Sequence, residues 1–593
     1  MSQLRRYVYW IPPAFFDFGN GTLPMASQHQ HHQPSSYLCW LLVVGAILWS
    51  LRGLLLKDQI PAFRDGFHFY WPQLVWLDKA YQAGDYFPNW NPNEGLGSSV
   101  SAQPTWQIYY PARVLFLLPV LSLPQKLGLF VLLHLLLSVW GMLRAARALD
   151  LSATAAWLSA IAFSLSCPVL FQVNNLIYLC SATWVAWSLS AIVSLMNFTR
   201  QGLMPQAIYT MVACGSMMTV CGDPHGAVNL ALVAVAATVV GFCRRRFSNE
   251  LRVNQSTPNS SRTLRTVHIC TLLAIALAGI QTYQSSQWFR ISSRSNSAVQ
   301  AIDSFHPRIQ QILAESPEVQ SRNTFDFSLS PWNFSTLVWP TINGHFQPEN
   351  SRWVQAIPSE SRMWIPSMYV GLIPFILTSW GLFRCRSNLQ TWLLLFCGLS
   401  LLLTMGNYSL GWLLRNLVGS SSGTQLASWL PCDNQLSLYG LLVQFLPGYD
   451  SFRYPAKWIV WFTSFVALLA GVNADRLLNL RSPSVQRHRA SNNQGSIVPE
   501  VGLKSFSYRV GLIAAISLVV LIVVIVGYSM TEVRGRVGAW LDSSYDRLAG
   551  QADLHSSFLA ILRGLVQTLI VCAIAIWACK HLAVGPRRSN KRL

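Results

Sequence analysis

Asp65 follows the first long apolar stretch of the chain, with Arg64 before it and His68 just beyond. A carboxylate in that position could act as general base toward an acceptor hydroxyl. It could also ligate a divalent cation, Mg or Mn, with Asp85 or Glu94 of the same segment. The structural alternatives are pairing with Arg64 or capping of the helix that begins nearby. No Asp-x-Asp occurs here, which favours the base over the metal. A second pair, Asp223 and His225, stands in Gly-Asp-Pro-His-Gly between two apolar stretches. Charges at that depth are costly unless paired or used. They would suit a lipid-linked phosphate or a metal, or the Asp closes a tight Asx-type turn. A third pair, Arg453 and Lys457, flanks Tyr454 and Pro455. A guanidinium fork and an ammonium recognise phosphate, or the two side chains snorkel to headgroups.

These groups need elements to hold them. Of 593 residues, 52% are hydrophobic and 11% charged. Soluble chains carry about 25% charged residues, so an array of soluble domains is excluded, and so is disorder. Apolar stretches long enough to cross a bilayer number about twelve, near 37–56, 126–143, 152–170, 177–197, 204–221, 226–243, 266–284, 367–383, 390–406, 456–475, 510–528 and 558–579. The expected class is an all-α polytopic membrane protein. The shorter apolar stretches 109–122, 408–418 and 436–447 read as re-entrant or interfacial.

The net charge of +20 tests the direction of the chain. With the N-terminus in the cytoplasm and alternating crossings, the cytoplasmic side holds about 24 basic and 5 acidic residues. The other side holds about 19 basic and 18 acidic. This is the positive-inside pattern, and it removes nucleic acid as the reason for the basic balance. Both termini are therefore expected in the cytoplasm, and the protein in the inner (cytoplasmic) membrane among its lipids. Long segments at 57–125, 285–366 and 407–455 then lie outside, where function is expected.

The chain divides into a tail, 1–36, a membrane core, 37–480, a basic linker, 481–509, and a C-terminal pair of crossings, 510–593. The tail carries a His/Gln cluster at 29–33, and Met25 is an alternative start. Residues 244–265 also read as a linker. Cysteines fall mostly inside apolar stretches, with Cys432 in an outer segment, and no Cys-x-x-Cys occurs. They read as small packing residues. In the first outer segment, Pro72 opens a short helix and Gly84 closes it, with Leu74, Leu77 and Tyr81 on one face. Such a helix is expected to lie on the bilayer surface. Trp332, Trp339, Trp353 and Trp364 crowd the second outer segment beside Asn333, Asn343, His345 and Glu349. They read as an aromatic belt or as loop packing, with sugar stacking as the functional alternative.

The runs RDGFHFYWPQL, GDYFPNWNPNEGLG and YYPARVLFLLP resemble the opening of the bacterial YfhO-like membrane proteins, which are similar to GT-C fold glycosyltransferases. GDPHG at 222–226, SLSPWNFSTLVWPTING at 328–344 with YVGLIP at 369–374, and FLPGYDSFRYPAKWIVWF at 445–462 fit the same pattern in order. The inserted Asp223 departs from it. Residues 37–480 carry the resemblance; 481–593 carry no motif of it. The resemblance implies a GT-C-like bundle and a glycosyltransferase using a polyprenyl-phosphate-linked sugar, with Asp65 as the catalytic carboxylate. Asp85, Glu94, Asp223, His225, Arg453 and Lys457 are the candidate substrate contacts.

Two rival classes remain. A transporter or flippase needs a polar path, yet acidic residues are scarce in the apolar stretches, where Arg52 and His134 are the exceptions. A non-catalytic scaffold would leave Asp65, Asp223 and Arg453 scattered.

Overall fold

A computed structural model describes residues 36–94, 97–196, 204–247, 261–291, 324–357, 362–382, 388–419, 437–449, 452–478, 498–546 and 549–584. The His/Gln cluster and Cys432 lie outside these residues. The helices, in chain order, are α1 Ser36–Ser50, α2 Arg52–Leu56, α3 Trp71–Gln82, α4 Leu123–Ala148, α5 Ala153–Ser164, α6 Cys167–Leu170, α7 Leu176–Met196, α8 Met204–Val220, α9 Pro224–Phe247 and α10 Ser261–Ile291. They continue as α11 Leu372–Leu382, α12 Asn388–Met405, α13 Leu410–Gly419, α14 Leu438–Phe445, α15 Ile459–Leu477, α16 Val498–Ser529, α17 Thr531–Asp542 and α18 Leu554–Val584. The only strands among the described residues are β1 Trp90–Asn91 and β2 Ser98–Ser99, an antiparallel pair.

The protein is an all-α membrane protein. Six helices are long and apolar enough to cross a bilayer: Leu123–Ala148, Leu176–Met196, Pro224–Cys243, Pro455–Leu477, Gly502–Ser529 and Leu554–His581. A seventh candidate is the bent pair Ala153–Ser164 and Cys167–Asn174, broken by 47°. Every other apolar stretch also contains helix, in pieces shorter or more polar than these.

Burial separates the helices into two physical kinds. In the best window of Pro455–Leu477, 94% of residues are buried, so this helix is the axis of the bundle. Its small residues Ala467, Ala470, Gly471 and Ala474 allow close approach, and a Cβ at Gly471 would strike the Ala155 carbonyl at 2.8 Å. In Gly502–Ser529 only 11% is buried. A helix apolar all round and bare of protein needs lipid as its solvent. That helix begins at Val498, inside the stretch expected to be linker. Leu503 and Phe506 bury their side chains beside Trp380 and Leu477, which extends the helix beyond its membrane-length core.

The surface helix α3 is positioned differently from its expectation. Its apolar face, Leu74, Leu77 and Tyr81, is buried in the protein and not offered to a bilayer. Burying each such leucine contributes about 1.5–3 kcal/mol. Lys126, itself buried, holds the helix from α4 through a 2.6 Å ion pair with Asp78. Exposed rings stand instead in the flanking turns, at Phe67, Phe69, Tyr86, Phe87 and Trp90.

The second outer segment is packed against the C-terminal helices. Trp339 Nε1 donates to Ser517, Thr341 Oγ1 to the Ala560 carbonyl, and Trp353 packs on Trp540. Three of the four tryptophans therefore serve packing, since Trp332 meets Tyr408. At the opposite end of the bundle, the Asp475 carboxylate accepts the Ser152 backbone N–H at the start of α5. Gln390 donates to Asn473 there at 2.9 Å.

Candidate functional site

Asp65 sits just before a short π-helical turn, Gly66–Tyr70, and its side chain does not cap that turn. Nor does it pair with Arg64. That residue, held at φ +43°, donates from Nη1 to the Met363 carbonyl and lies 4.8 Å from the Phe327 ring centre. Burial pulls the Arg64 guanidinium below its ordinary pKa, with the Asp65 charge opposing. The Asp65 carboxylate, exposed, accepts a 3.1 Å hydrogen bond from Asn175 Nδ2. Asn175 Oδ1 in turn accepts the Tyr70 hydroxyl at 2.7 Å. Burial pushes the Tyr70 phenol well above its usual range, so it remains an O–H donor at neutral pH.

Local chain geometry creates this contact. The break after α5 swings residues 167–175 toward the first outer segment, and Cys167 N bonds the Tyr369 carbonyl at 2.9 Å. Gly66 lets the two segments approach: a Cβ there would lie 3.3 Å from Asn174 Oδ1. A small half-open cleft results, lined by Phe63, Asp65, Phe171, Asn174, Asn175 and Trp364, among others.

One helical turn beyond Asn175 stands Tyr178. Lys457 Nζ lies 4.8 Å from its ring centre and 5.6 Å from that of Tyr454, and the Trp364 ring lies 5.0 Å from it. The late Lys thus sits on a tyrosine one turn from the Asp65 partner Asn175, and the Gly-Asp-Pro-His-Gly turn meets the same helix, where a Cβ at Gly226 would lie 2.5 Å from Ser181 Oγ.

Asp223 is 5% exposed at the start of α9. Glycines make room for it. Gly222 adopts φ +101° with Pro104 O 2.7 Å from its would-be Cβ, and a Cβ at Gly226 would fall 2.4 Å from Asp223 Oδ2. Among the described residues no hydrogen bond or ion pair reaches the Asp223 carboxylate. The turn is held from the first outer segment: Arg113 Nη2 donates to Gln107 Oε1 at 2.9 Å, and Gln107 Nε2 to the Cys221 carbonyl at 2.7 Å.

His225 has another task. Tyr449 donates its hydroxyl proton to Asn229 Oδ1 at 2.8 Å, so its oxygen accepts from Trp458 Nε1 and from His225 Nε2 at 3.0 Å. This sets the imidazole tautomer with the proton on Nε2. The ring also stacks on Phe452 at 4.7 Å. His225 therefore ties the turn to the segment leading into α15. Its Nδ1 is buried and makes no hydrogen bond among the described residues.

Asp85 does not join Asp65: the 12-residue α3 stands between them and spans about 18 Å. Glu94 accepts the Ser98 hydroxyl at 2.9 Å, fixing the small hairpin. No group of three or more His, Cys, Asp or Glu among the described residues could hold a metal ion. Arg453 is half-buried next to Tyr454. Asn175, Tyr70, Tyr178 and Gln107 were not singled out by the sequence. Their signal was faint: an Asn pair opening an apolar run, and a Tyr one turn later.

Compared with family models, with curated proteins and with solved structures, the chain matches none.

Proposed function

We propose that this protein is an integral-membrane glycosyltransferase of the YfhO-like, GT-C-related kind, with about twelve crossings and both termini in the cytoplasm of a cell with an inner membrane. The donor is a sugar on a polyprenyl phosphate and the acceptor an extracytoplasmic hydroxyl of a cell-envelope glycan or glycolipid. The acceptor oxygen attacks the anomeric carbon, the bond from that carbon to the phosphate oxygen breaks, and the phosphate leaves with the electron pair. Asp65 takes the acceptor proton. Lys457, with Arg453 beside it, offsets the charge that grows on the leaving phosphate.

The single observation that carries this reading is that the Asp65 carboxylate, held by Asn175 at a cleft, lies one helical turn of α7 from Tyr178, over whose ring Lys457 is seated. A scaffold has no need for that convergence. The test compares lipid-extracted and polymeric envelope glycans from cells with the protein, without it, and with Asp65→Asn. Loss of one glycosylated species in both deficient strains, at normal protein abundance, is expected. A glycan profile unchanged by deletion rejects the proposal.

The broken α5–α6 pair supports a second reading, since interrupted helices line transporter sites. Uptake or flipping of a labelled polyprenyl phosphate across proteoliposomes, undiminished by Asp65→Asn, would favour it.

A further inference from the structure

α17 meets the rest of the protein along one edge. Leu541 is buried with Ala356 and Ala552, and a Cβ at Gly538 would touch Leu554. Another edge is apolar and exposed. It carries Val533, Val537 and Trp540, which helical spacing puts within an arc of about 60°. Gly535 and Ala539 stand on the opposite side, and the Glu532–Arg536 ion pair, 2.6 Å long, lies in the open beside them. The apolar edge continues at the same three- and four-residue spacing through exposed Met530 to Val526 and Val523 of α16. Only 11% of that span is buried, so its neighbours are lipid tails. Met530, with extended backbone at ψ 114°, ends the span. Glu532, Arg534, Arg536 and Asp542 follow, too many charges for a crossing. The bare edges of α16 and α17 are thus one surface. A second copy would have to cover both, whereas a leaflet covers both without a further partner.

We propose that α17 lies flat in the headgroup layer of a phospholipid leaflet, with Val533, Val537 and Trp540 among the upper acyl chains and Gly535 and Ala539 in water. Its acidic and basic residues cancel, so burial of the apolar edge, and not attraction to anionic lipid, holds it there. The consequence is mechanical. The Trp540 ring lies 6.4 Å from that of Trp353, and Leu541 is buried with Ala356, both in the second outer segment. Asn350 Nδ2 donates to the Gly550 carbonyl at 3.0 Å, and the Asp553 N–H to the Asn350 carbonyl at 2.7 Å, closing the same junction. α17 therefore sets the height of that segment above the bilayer, and Trp364, further along it, lines the Asp65 cleft. This inference stands apart from the glycosyl-transfer reading.

The experiment places the photoreactive residue p-benzoylphenylalanine singly at Val533, Val537, Gly535 and Ala539 of the full chain. Each variant is held in nanodiscs of phosphatidylcholine, alone or mixed with phosphatidylglycerol. After irradiation, lipid adducts are weighed by mass spectrometry of the intact protein, with Val523 on α16 as the lipid-facing reference. Val533 and Val537 are expected to give yields near that of Val523 and several-fold above those of Gly535 and Ala539, with the same ratio in both lipid compositions. Met530 serves in place of Val537 if that variant does not insert. Equal yields at all four α17 positions overturn the flat placement. A protein–protein crosslink from Val537 in place of the lipid adduct overturns it in favour of a second copy. Yields at Val533 and Val537 that rise only with phosphatidylglycerol overturn the apolar account of the contact.

Discussion

Asn175 Nδ2 lies 3.1 Å from Asp65 Oδ2, although 110 residues separate them in the chain. The contact joins the first outer segment to the broken helix, and through Tyr70 it is anchored in the buried core. The carboxylate held by this amide, itself held by a buried phenol, lines the cleft. Removing the amide should therefore matter more than its single bond suggests. Asn175→Ala is expected to lower glycosyl transfer by about 10- to 100-fold, the scale of a misplaced reacting group. Tyr70→Phe, which loses about 1 kcal/mol, should cost several-fold. Transfer rates in membranes containing equal protein check both, and wild-type rates in Asn175→Ala would remove the positioning role.

Tyr70 also makes a pH prediction. Burial raises its native pKa above the unfolded value of about 10. Below that pH both states hold the proton, and the contribution to stability is constant. As pH rises from about 10 toward the raised native value, the unfolded state releases the proton first, so stability falls. Thermal unfolding in detergent between pH 8 and pH 11 should show a downturn near 10 that is reduced in Tyr70→Phe. An equal downturn in both proteins contradicts the assignment.

Gly226→Ala tests the lodging of Asp223. The new methyl group would overlap Asp223 Oδ2 and Ser181 Oγ, at 2.4 and 2.5 Å. The carboxylate must move, so the variant should insert normally and lose transfer at least tenfold. Ser181→Ala in the same background, by opening space, should recover part of it. Full activity of the single variant would show that Asp223 tolerates displacement.

Asp475 and Ser152 make the contrasting prediction at the other end of the bundle. Asp475→Ala leaves the Ser152 backbone N–H at the start of α5 without its carboxylate, at a cost of about 1–3 kcal/mol. The unfolding temperature should fall while donor affinity stays the same. A change in donor affinity at constant stability would mean that the two ends are coupled.

His68 reports orientation. It is exposed three residues from Asp65, and it is assigned no part in the chemistry. His68→Cys should react in whole cells with a membrane-impermeant maleimide delivered to the extracytoplasmic side. Labelling only after the inner membrane is opened would place Asp65 in the cytosol and reverse the charge reading.

The amino-acid sequence by itself determined the solvent of this protein. Long runs such as 510–528 are apolar on all sides, and no arrangement of one chain can bury them all. Helix ends were legible for the same local reason: Pro72 lacks the N–H that a helix start leaves unused, and Gly84, at φ +85°, can take the left-handed turn that ends it. Asp65 was visible by its place after the first apolar stretch, Asp223 as a charge costly at its depth unless paired or used, and Lys457 as a cation at the level of headgroups. The sequence could not say which would meet. Asp85 is closer in the chain to Asp65 than Asn175 is, yet a rigid helix holds the first pair apart and a 47° break brings the second together. Only the tertiary structure decided that His225 meets Tyr449, because the proton of Tyr449 goes to Asn229 and leaves its oxygen for the imidazole. Local backbone preferences are written in neighbouring residues. The partners of a polar side chain are set by which distant segments share one buried space, and that is a property of packing.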